Sequence, residues 1–341
     1  MHAGRAALAV LEALLPFALI LGMLSGCGVE DKGSGKTPNA AAHQAEESPS
    51  TEPPVADVAE AAAAAIDEPS IHTSLSHLTG ASPAPLASGA TTISERGSEV
   101  GRRAAAEYMK ESFEAAGIPA RILEFTSGDK RGFNVEATLQ GTGGGKHLWL
   151  TAHLDSFYNP GASDDASGLV SLLMTARTLK ELDPKHTVHF VAYDLEEVGL
   201  VGSAVYIGSV VSATREREGE GAIIGNLHSD MIGHDRGQRE AVIGTCNRAG
   251  SIDEAILRAS EMIGSPLNLS EDCLGRSDHQ HFWDAGLPAA ILTDGTKYDL
   301  YPWYHDPADT VDKLNIPYLG SMIQLTAATT ALLTITPEDQ S

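Results

Sequence analysis

A layered α/β domain with a mostly parallel sheet is the fold class this sequence predicts, and three observations carry the prediction. Short apolar β-like runs, "HTVHFVAYDL", "GAIIGNLHSDM", "EAVIGT" and "LPAAILTD", recur through the second half of the chain with helical segments between several of them. One of those helical segments, "ASGLVSLLMTARTLKEL", is apolar on nearly every face, as a helix buried against a sheet must be. Polar, ligand-type residues stand at the C-terminal ends of three apolar runs, where open α/β sheets place their sites.

Taken in order, the chain does not begin as a globular sequence. After Met1, with Arg5 as its one strongly basic residue, the run "ALAVLEALLPFALILGMLSG" reads as a signal-peptide core. It ends in Leu24-Ser25-Gly26-Cys27, which resembles the bacterial lipobox, and that resemblance implies lipid attachment at Cys27 and residence in the cell envelope. No later segment reads as apolar enough to span a membrane. Residues 28–70 are rich in Ala, Pro, Ser and Glu with almost no large apolar side chains, which predicts a disordered tether with a transient helix at its alanine run. Residues 71–341 remain as one domain with a sizeable core. A net charge of −23 argues against nucleic acid and anionic membrane surfaces as partners. Once Cys27 is assigned to lipid, Cys246 and Cys273 remain, either as a disulfide or as two separate buried thiols.

Within the domain, "GSEVGRRAAAEYMKESFEAAGI" carries Ala106, Met109, Phe113 and Ala116 at helical spacing and Gly117 at the C-cap, which predicts a surface helix with one buried stripe. "GFNVEATLQG" and "KHLWLTAHLD", separated by "TGGG", read as a hairpin. The apolar helix and the four β-like runs follow, and "IPYLGSMIQLTAATTALLTI" reads as a closing helix. No internal repeat is visible.

The polar clusters carry the chemistry. His153 and Asp155 lie two apart after "LWLTA", so on an extended strand end they share a face and the carboxylate can hold the imidazole tautomer. Asp164 and Asp165 precede the buried helix; Asp165 is the expected N-cap, which leaves Asp164 free. Glu196 and Glu197 follow "VHFVAYD", and Asp230 follows "IIGNLHS". Histidine and carboxylate donors suit zinc, and two zinc ions about 3.5–4 Å apart can share one bridging carboxylate. Neighbouring side chains on an extended strand end point apart, so one glutamate can bind metal while the other moves protons.

These motifs, His153-x-Asp155, "GASDDASG", "YDLEEVGLVGS", "LHSDMIG" and "YHDPADTVDKLN", are similar in order and spacing to those of the di-zinc aminopeptidases, metallopeptidase family twenty-eight, whose relatives include glutamate carboxypeptidases and glutaminyl cyclases. The resemblance covers about residues 90 to 335. It implies a three-layer α/β/α sandwich around a mixed, mostly parallel sheet of about eight strands. It also implies that His153, bridging Asp164 and Asp230 hold a first zinc ion, that Asp164, Glu197 and His305 hold a second, that Glu196 is the general base, and that Asp155 orients His153. Tyr304 resembles the tyrosine that polarises the scissile carbonyl in some members, though a packed loop aromatic fits it equally. A cis peptide between Asp164 and Asp165 is a further expectation. Asp278, His279 and His281 read as structural or pocket-lining, and His228 and His234 fall outside the ligand set.

The resulting expectation is a lipid-anchored metallo-aminopeptidase with two zinc ions, acting on peptides with a free N-terminus. A single-zinc glutaminyl cyclase and a non-catalytic binding ectodomain of the same fold are the alternatives. A carboxypeptidase of the same family would call for basic residues to hold a terminal carboxylate, and none is assignable. Oligomeric state is not legible in the sequence.

Overall fold

The computed structural model describes residues 54–143, 145–295 and 301–335. The expected signal segment, the Cys27 lipid site and the first part of the tether lie outside the described residues.

Residues 54–70, expected to continue the tether with a transient helix at the alanine run, instead form one packed helix and the start of a second. Helix α1 (Val55–Ala64) buries Val58, Ala59, Ala62 and Ala63, and α2 (Glu68–Leu78) starts at Asp67, whose side chain accepts the Ser70 N–H at 2.9 Å. Alanine has the highest helix propensity, and its small side chain lets one helix lie close against another. The alanine run thus joins the core, where composition alone reads as disorder. A small ribbon, β1 (Ala84–Leu86) against β2 (Gly89–Thr91), leads to α3 (Glu99–Ala115). That helix is capped by Ser98 and followed by Gly117 at φ 74°, and it buries Ala105, Ala106, Met109 and Phe113, close to the predicted stripe.

The main sheet has eight strands. They are β3 (Ala120–Ser127), β4 (Lys130–Leu139), β5 (His147–His153), β6 (Thr187–Tyr193), β7 (Ile223–Ser229), β8 (Glu240–Gly244), β9 (Asn268–Asp272) and β10 (Ala289–Asp294). Their spatial order is β3-β4-β6-β5-β7-β10-β8-β9. The central strands β6, β5, β7 and β10 run parallel; β3 and β4 pair antiparallel with their neighbours, and β8 pairs antiparallel with β10 and parallel with β9. The expected β4–β5 hairpin is absent. β4 turns back on β3 instead, and on its other edge it pairs with β6, which separates it from β5. All seven residues of β5 are buried, so it needs a neighbour on each edge and a layer on each face.

Residue alternation along the central strands sorts the two faces. Leu148, Leu150 and Ala152 of β5, with Val188, Phe190 and Ala192 of β6, join the larger core under α3, α4 (Ser167–Leu182) and α9 (Ile316–Ile335). Trp149, Val191 and Tyr193 face the opposite layer with Tyr206 of α5 (Val201–Tyr206) and Phe282 of α8 (Gln280–Asp284). Helix α6 (Ser212–Glu218) follows α5, and α7 (Ile252–Met262) packs on the larger core. The outcome is the three-layer sandwich. Contrary to the sequence expectation, α9 is long and apolar enough to cross a membrane, yet 83% of its apolar window is buried inside the protein. Its threonine hydroxyls are satisfied within the helix: Thr326, Thr329, Thr330 and Thr334 each donate to the carbonyl four residues back.

Candidate metal centre

Three parallel strands deliver the site at one sheet edge. His153 is the last residue of β5, Asp230 is the first past β7, and Glu196 and Glu197 lie just past β6. The route from β6 into the glutamate pair is fixed by Asp194. Fully buried, it pairs with Arg102 at 3.1 Å and accepts the N–H of Phe133 and of Leu195, each at 2.9 Å. Leu195 sits at φ 62°, a left-handed turn that swings the chain over the strand end. Asp155 then fastens the glutamates by their backbone, accepting the Glu196 N–H at 2.9 Å and the Glu197 N–H at 3.2 Å.

Asp165 and Asp164 diverge from adjacent positions across a cis peptide bond, as expected. The Asp165 carboxylate turns inward, accepting the N–H of Gly168 at 2.8 Å in the first turn of α4 and that of His153 at 3.1 Å, so it caps the helix and fastens β5 to it. Asp164 turns outward, one oxygen 2.9 Å from His153 Nε2 and the other 3.4 Å from His305 Nε2. His305 Nε2 also lies 2.9 Å from Glu197, and His153 Nε2 lies 3.7 Å from Asp230. Two groups able to hold a metal ion result, His153–Asp164–Asp230 and Asp164–Glu197–His305, each with its donor atoms within 4.8 Å of one another. All five residues expected from the sequence are therefore brought together, and Asp164 is common to both groups.

The donor set fits zinc on its own chemistry. His153 Nδ1 donates to the Asp155 backbone carbonyl oxygen at 3.1 Å, where the sequence expected the Asp155 carboxylate, which lies at 3.7 Å; Nε2 is left as the nitrogen that would hold a metal ion. At 2.9 Å from the Asp164 carboxylate, Nε2 takes either a proton or a metal ion between them. Tetrahedral zinc with legs of about 2.0–2.1 Å separates its donors by about 3.3 Å, inside the observed range. Asp164, Glu197, Asp230 and His305 each also keep one buried donor or acceptor atom without a hydrogen-bond partner. Burial lowers both histidines, yet the carboxylates outweigh it. His153 is raised well above the ordinary imidazole range by Asp155, Asp164 and Asp230, and His305 is raised to about 9 by Asp164 and Glu197.

Glu196 is raised well above the ordinary carboxylate range, first by burial and then by Asp278, Asp230 and Asp155, against the pull of His153. Tyr304 is 38% exposed and stacks on the His305 ring at 3.8 Å, while Phe157 lies nearly parallel to that same ring at 4.3 Å. Asp278 and His279 are buried, and burial pushes Asp278 up to about 7. His281 bonds Ser203 Oγ at 3.1 Å. His228 is stitched to Thr151 and Ser277, each at 2.8 Å. None of these residues, nor His234, enters either metal-ligand group. Cys246 and Cys273 form a disulfide beyond the ends of β8 and β9.

Two supporting residues escaped the sequence reading. Arg96, fully buried, donates to the carbonyls of Leu78, Leu154, Pro160 and Gly161, placing a cation beneath the acidic cluster. Gly161 at φ 58° makes room for it, because a Cβ there would meet Asp164 O at 2.4 Å and Arg96 Nη2 at 2.8 Å. Asp309, also fully buried, bonds the backbone of the Asp164 segment. A single arginine among polar residues and one aspartate among several in a loop carry no periodic signal.

Comparison with known proteins gives a family and a fold. The profile of peptidase family M28 matches residues 134–330, more than half of the chain. Aminopeptidase YwaD of Bacillus subtilis is 32% identical over 174 residues, covering 49% of this chain and 37% of that protein's own length. Among solved structures, the zinc aminopeptidase BSAP from Bacillus subtilis superposes with a TM-score of 0.69 at 16% identity, over 81% of this chain and 97% of that one. A glutaminyl cyclase from Fimbriiglobus ruber superposes with a TM-score of 0.63 at 17% identity, over 78% and 95%. These last two likenesses concern the fold.

Proposed function

Because the chain belongs to peptidase family M28, we propose that it is a zinc aminopeptidase that removes residues from the N-terminus of peptides, with two zinc ions and with Glu196 as general base. The observation that carries this reading is the shared carboxylate: Asp164 presents one oxygen to His153 and the other to His305. His153, Asp164 and Asp230 would hold one ion, and Asp164, Glu197 and His305 the other. Zinc bound there would polarise the scissile carbonyl and lower the pKa of a bound water to about 7.

The chain's own groups do the rest. Glu196, which enters neither ligand group, takes the proton from the attacking water and delivers it to the leaving amine. Asp155 holds the Glu196 backbone and the Nδ1 proton of His153, so base and ligand are referenced to one residue. The Tyr304 hydroxyl, on the flank of His305, donates to the carbonyl oxygen as negative charge develops. Glu196 and Asp230 form the negative end of the cleft, where a substrate ammonium is anchored and the action is restricted to free N-termini. Under the same reading, Cys27 is acylated and the enzyme is held in the bacterial cell envelope by that lipid, which labelling with radioactive palmitate, lost in Cys27→Ser, would test.

The test of the activity is zinc content together with hydrolysis of aminoacyl-anilides, with and without chelator. About two zinc ions per chain and chelator-sensitive hydrolysis are expected. One zinc ion with cyclisation of N-terminal glutamine and no hydrolysis would replace this reading with the cyclase. Zinc binding with neither reaction would leave a binding ectodomain.

A further inference from the structure

The two metal-ligand groups are locked by different carboxylates. The first hangs on the sheet through Asp165, which accepts the His153 N–H at 3.1 Å and the N–H of Met231, next to Asp230, at 3.3 Å. The second depends on a loop with no ladder of its own, residues 301–310, that brings His305 back to Asp164. Asp309 ties that loop down. One of its oxygens accepts the Ser163 N–H at 2.9 Å and the Tyr301 hydroxyl at 2.6 Å, and the other accepts the Asp164 N–H at 3.2 Å. Its carbonyl accepts the Ala162 N–H at 3.2 Å, and nearby the Asn159 side chain donates to the Asp306 carbonyl at 3.0 Å. His305, at φ 57°, stands four residues before Asp309, and the turn between them is closed by Asp309 N–H donating to the Asp306 carbonyl at 3.0 Å.

Resting on the two-zinc reading, we propose that Asp309 is a positioning residue that acts chiefly on the second zinc ion: it fixes the loop that carries His305 against the backbone of Asp164, the carboxylate that both ions would share. The chemistry of the bonds makes the role separable. In Asp309→Asn, one oxygen can still accept from Ser163 and Tyr301, but the amide NH₂ meets the Asp164 N–H donor to donor, so that bond is lost. His153, Asp230 and their Asp165 lock are not touched.

The test is zinc titration of the metal-free full chain against a competing chromophoric chelator. Wild type should bind two zinc ions; if it binds only one, the two-zinc reading fails before the role of Asp309 is reached. Asp309→Asn should bind one zinc ion tenfold to a hundredfold more weakly, the range for removing an outer partner of a ligand, and the other with a much smaller loss. Two ions at wild-type affinity, or both weakened alike in a chain whose metal-free melting temperature is unchanged, would overturn the assignment. Should that variant fail to fold, Tyr301→Phe removes only the hydroxyl that steadies the Asp309 carboxylate. It should weaken the second ion selectively, and unchanged affinity for both ions would equally refute the role.

Discussion

Asp155 accepts the Glu196 backbone N–H at 2.9 Å while its own carbonyl faces His153 Nδ1 at 3.1 Å. One residue thereby sets the position of the proposed base and the tautomer of a proposed ligand. Removing its carboxylate frees the Glu196 and Glu197 N–H groups, and with them the proposed base and one proposed ligand, while the backbone carbonyl that faces His153 stays. Asp155→Ala is expected to lower kcat/KM by ten- to a hundredfold and to weaken zinc binding, read by anilide hydrolysis and chelator competition. Wild-type values for both would remove Asp155 from the machinery.

Glu196→Gln separates proton transfer from metal binding. Its side chain enters neither ligand group, so zinc content should stay at the wild-type value while kcat falls by about 10²–10⁴. Turnover within a few-fold of wild type would show that another group is the base.

Away from the site, Glu136 makes acid stability titratable. Burial alone would raise it, but hydrogen bonds from His189, Arg121 and Tyr206 prevail and hold it at about 2, below its ordinary 4.5. A depressed folded-state pKa stabilises above the unfolded value and loses that contribution as pH falls through the folded one. The shift corresponds to about 3 kcal/mol, present above about pH 4.5 and gone by about pH 2. Urea denaturation of Glu136→Gln should therefore show a shallower decline of stability between those limits; an unchanged slope would contradict the assignment.

The disulfide closes a span of 27 residues between the ends of two neighbouring strands. Replacing Cys246 and Cys273 together by serine should destabilise the domain by about 2–4 kcal/mol in denaturant unfolding. The zinc groups lie on other elements, so zinc content should not change.

The sequence disclosed the site better than the sheet. His153, Asp164, Glu197, Asp230 and His305 were readable because metal donors at strand ends are out of place in an apolar pattern, and because their motifs keep family order and spacing. Strand pairing was not readable. "TGGG" looks like a hairpin turn locally, but β5 takes β6 and β7 as neighbours because a strand buried on both faces belongs in the centre of the sheet. Edge strands β3 and β9 escaped notice because their polar, half-exposed residues lack the apolar signal. Helix α1 was legible only as a transient helix in a tether, for the opposite reason: alanine gives no amphipathic contrast, and only the partner helix reveals which side is buried. Arg96 and Asp309 act through backbone carbonyls and amides, which no residue pattern reports.

Zinc per folded chain, measured on wild type and Asp164→Ala side by side, tests the central claim most directly. A carboxylate common to both ligand groups predicts two zinc ions in the wild type and the loss of both in the variant. Retention of the wild-type zinc content by Asp164→Ala would contradict it.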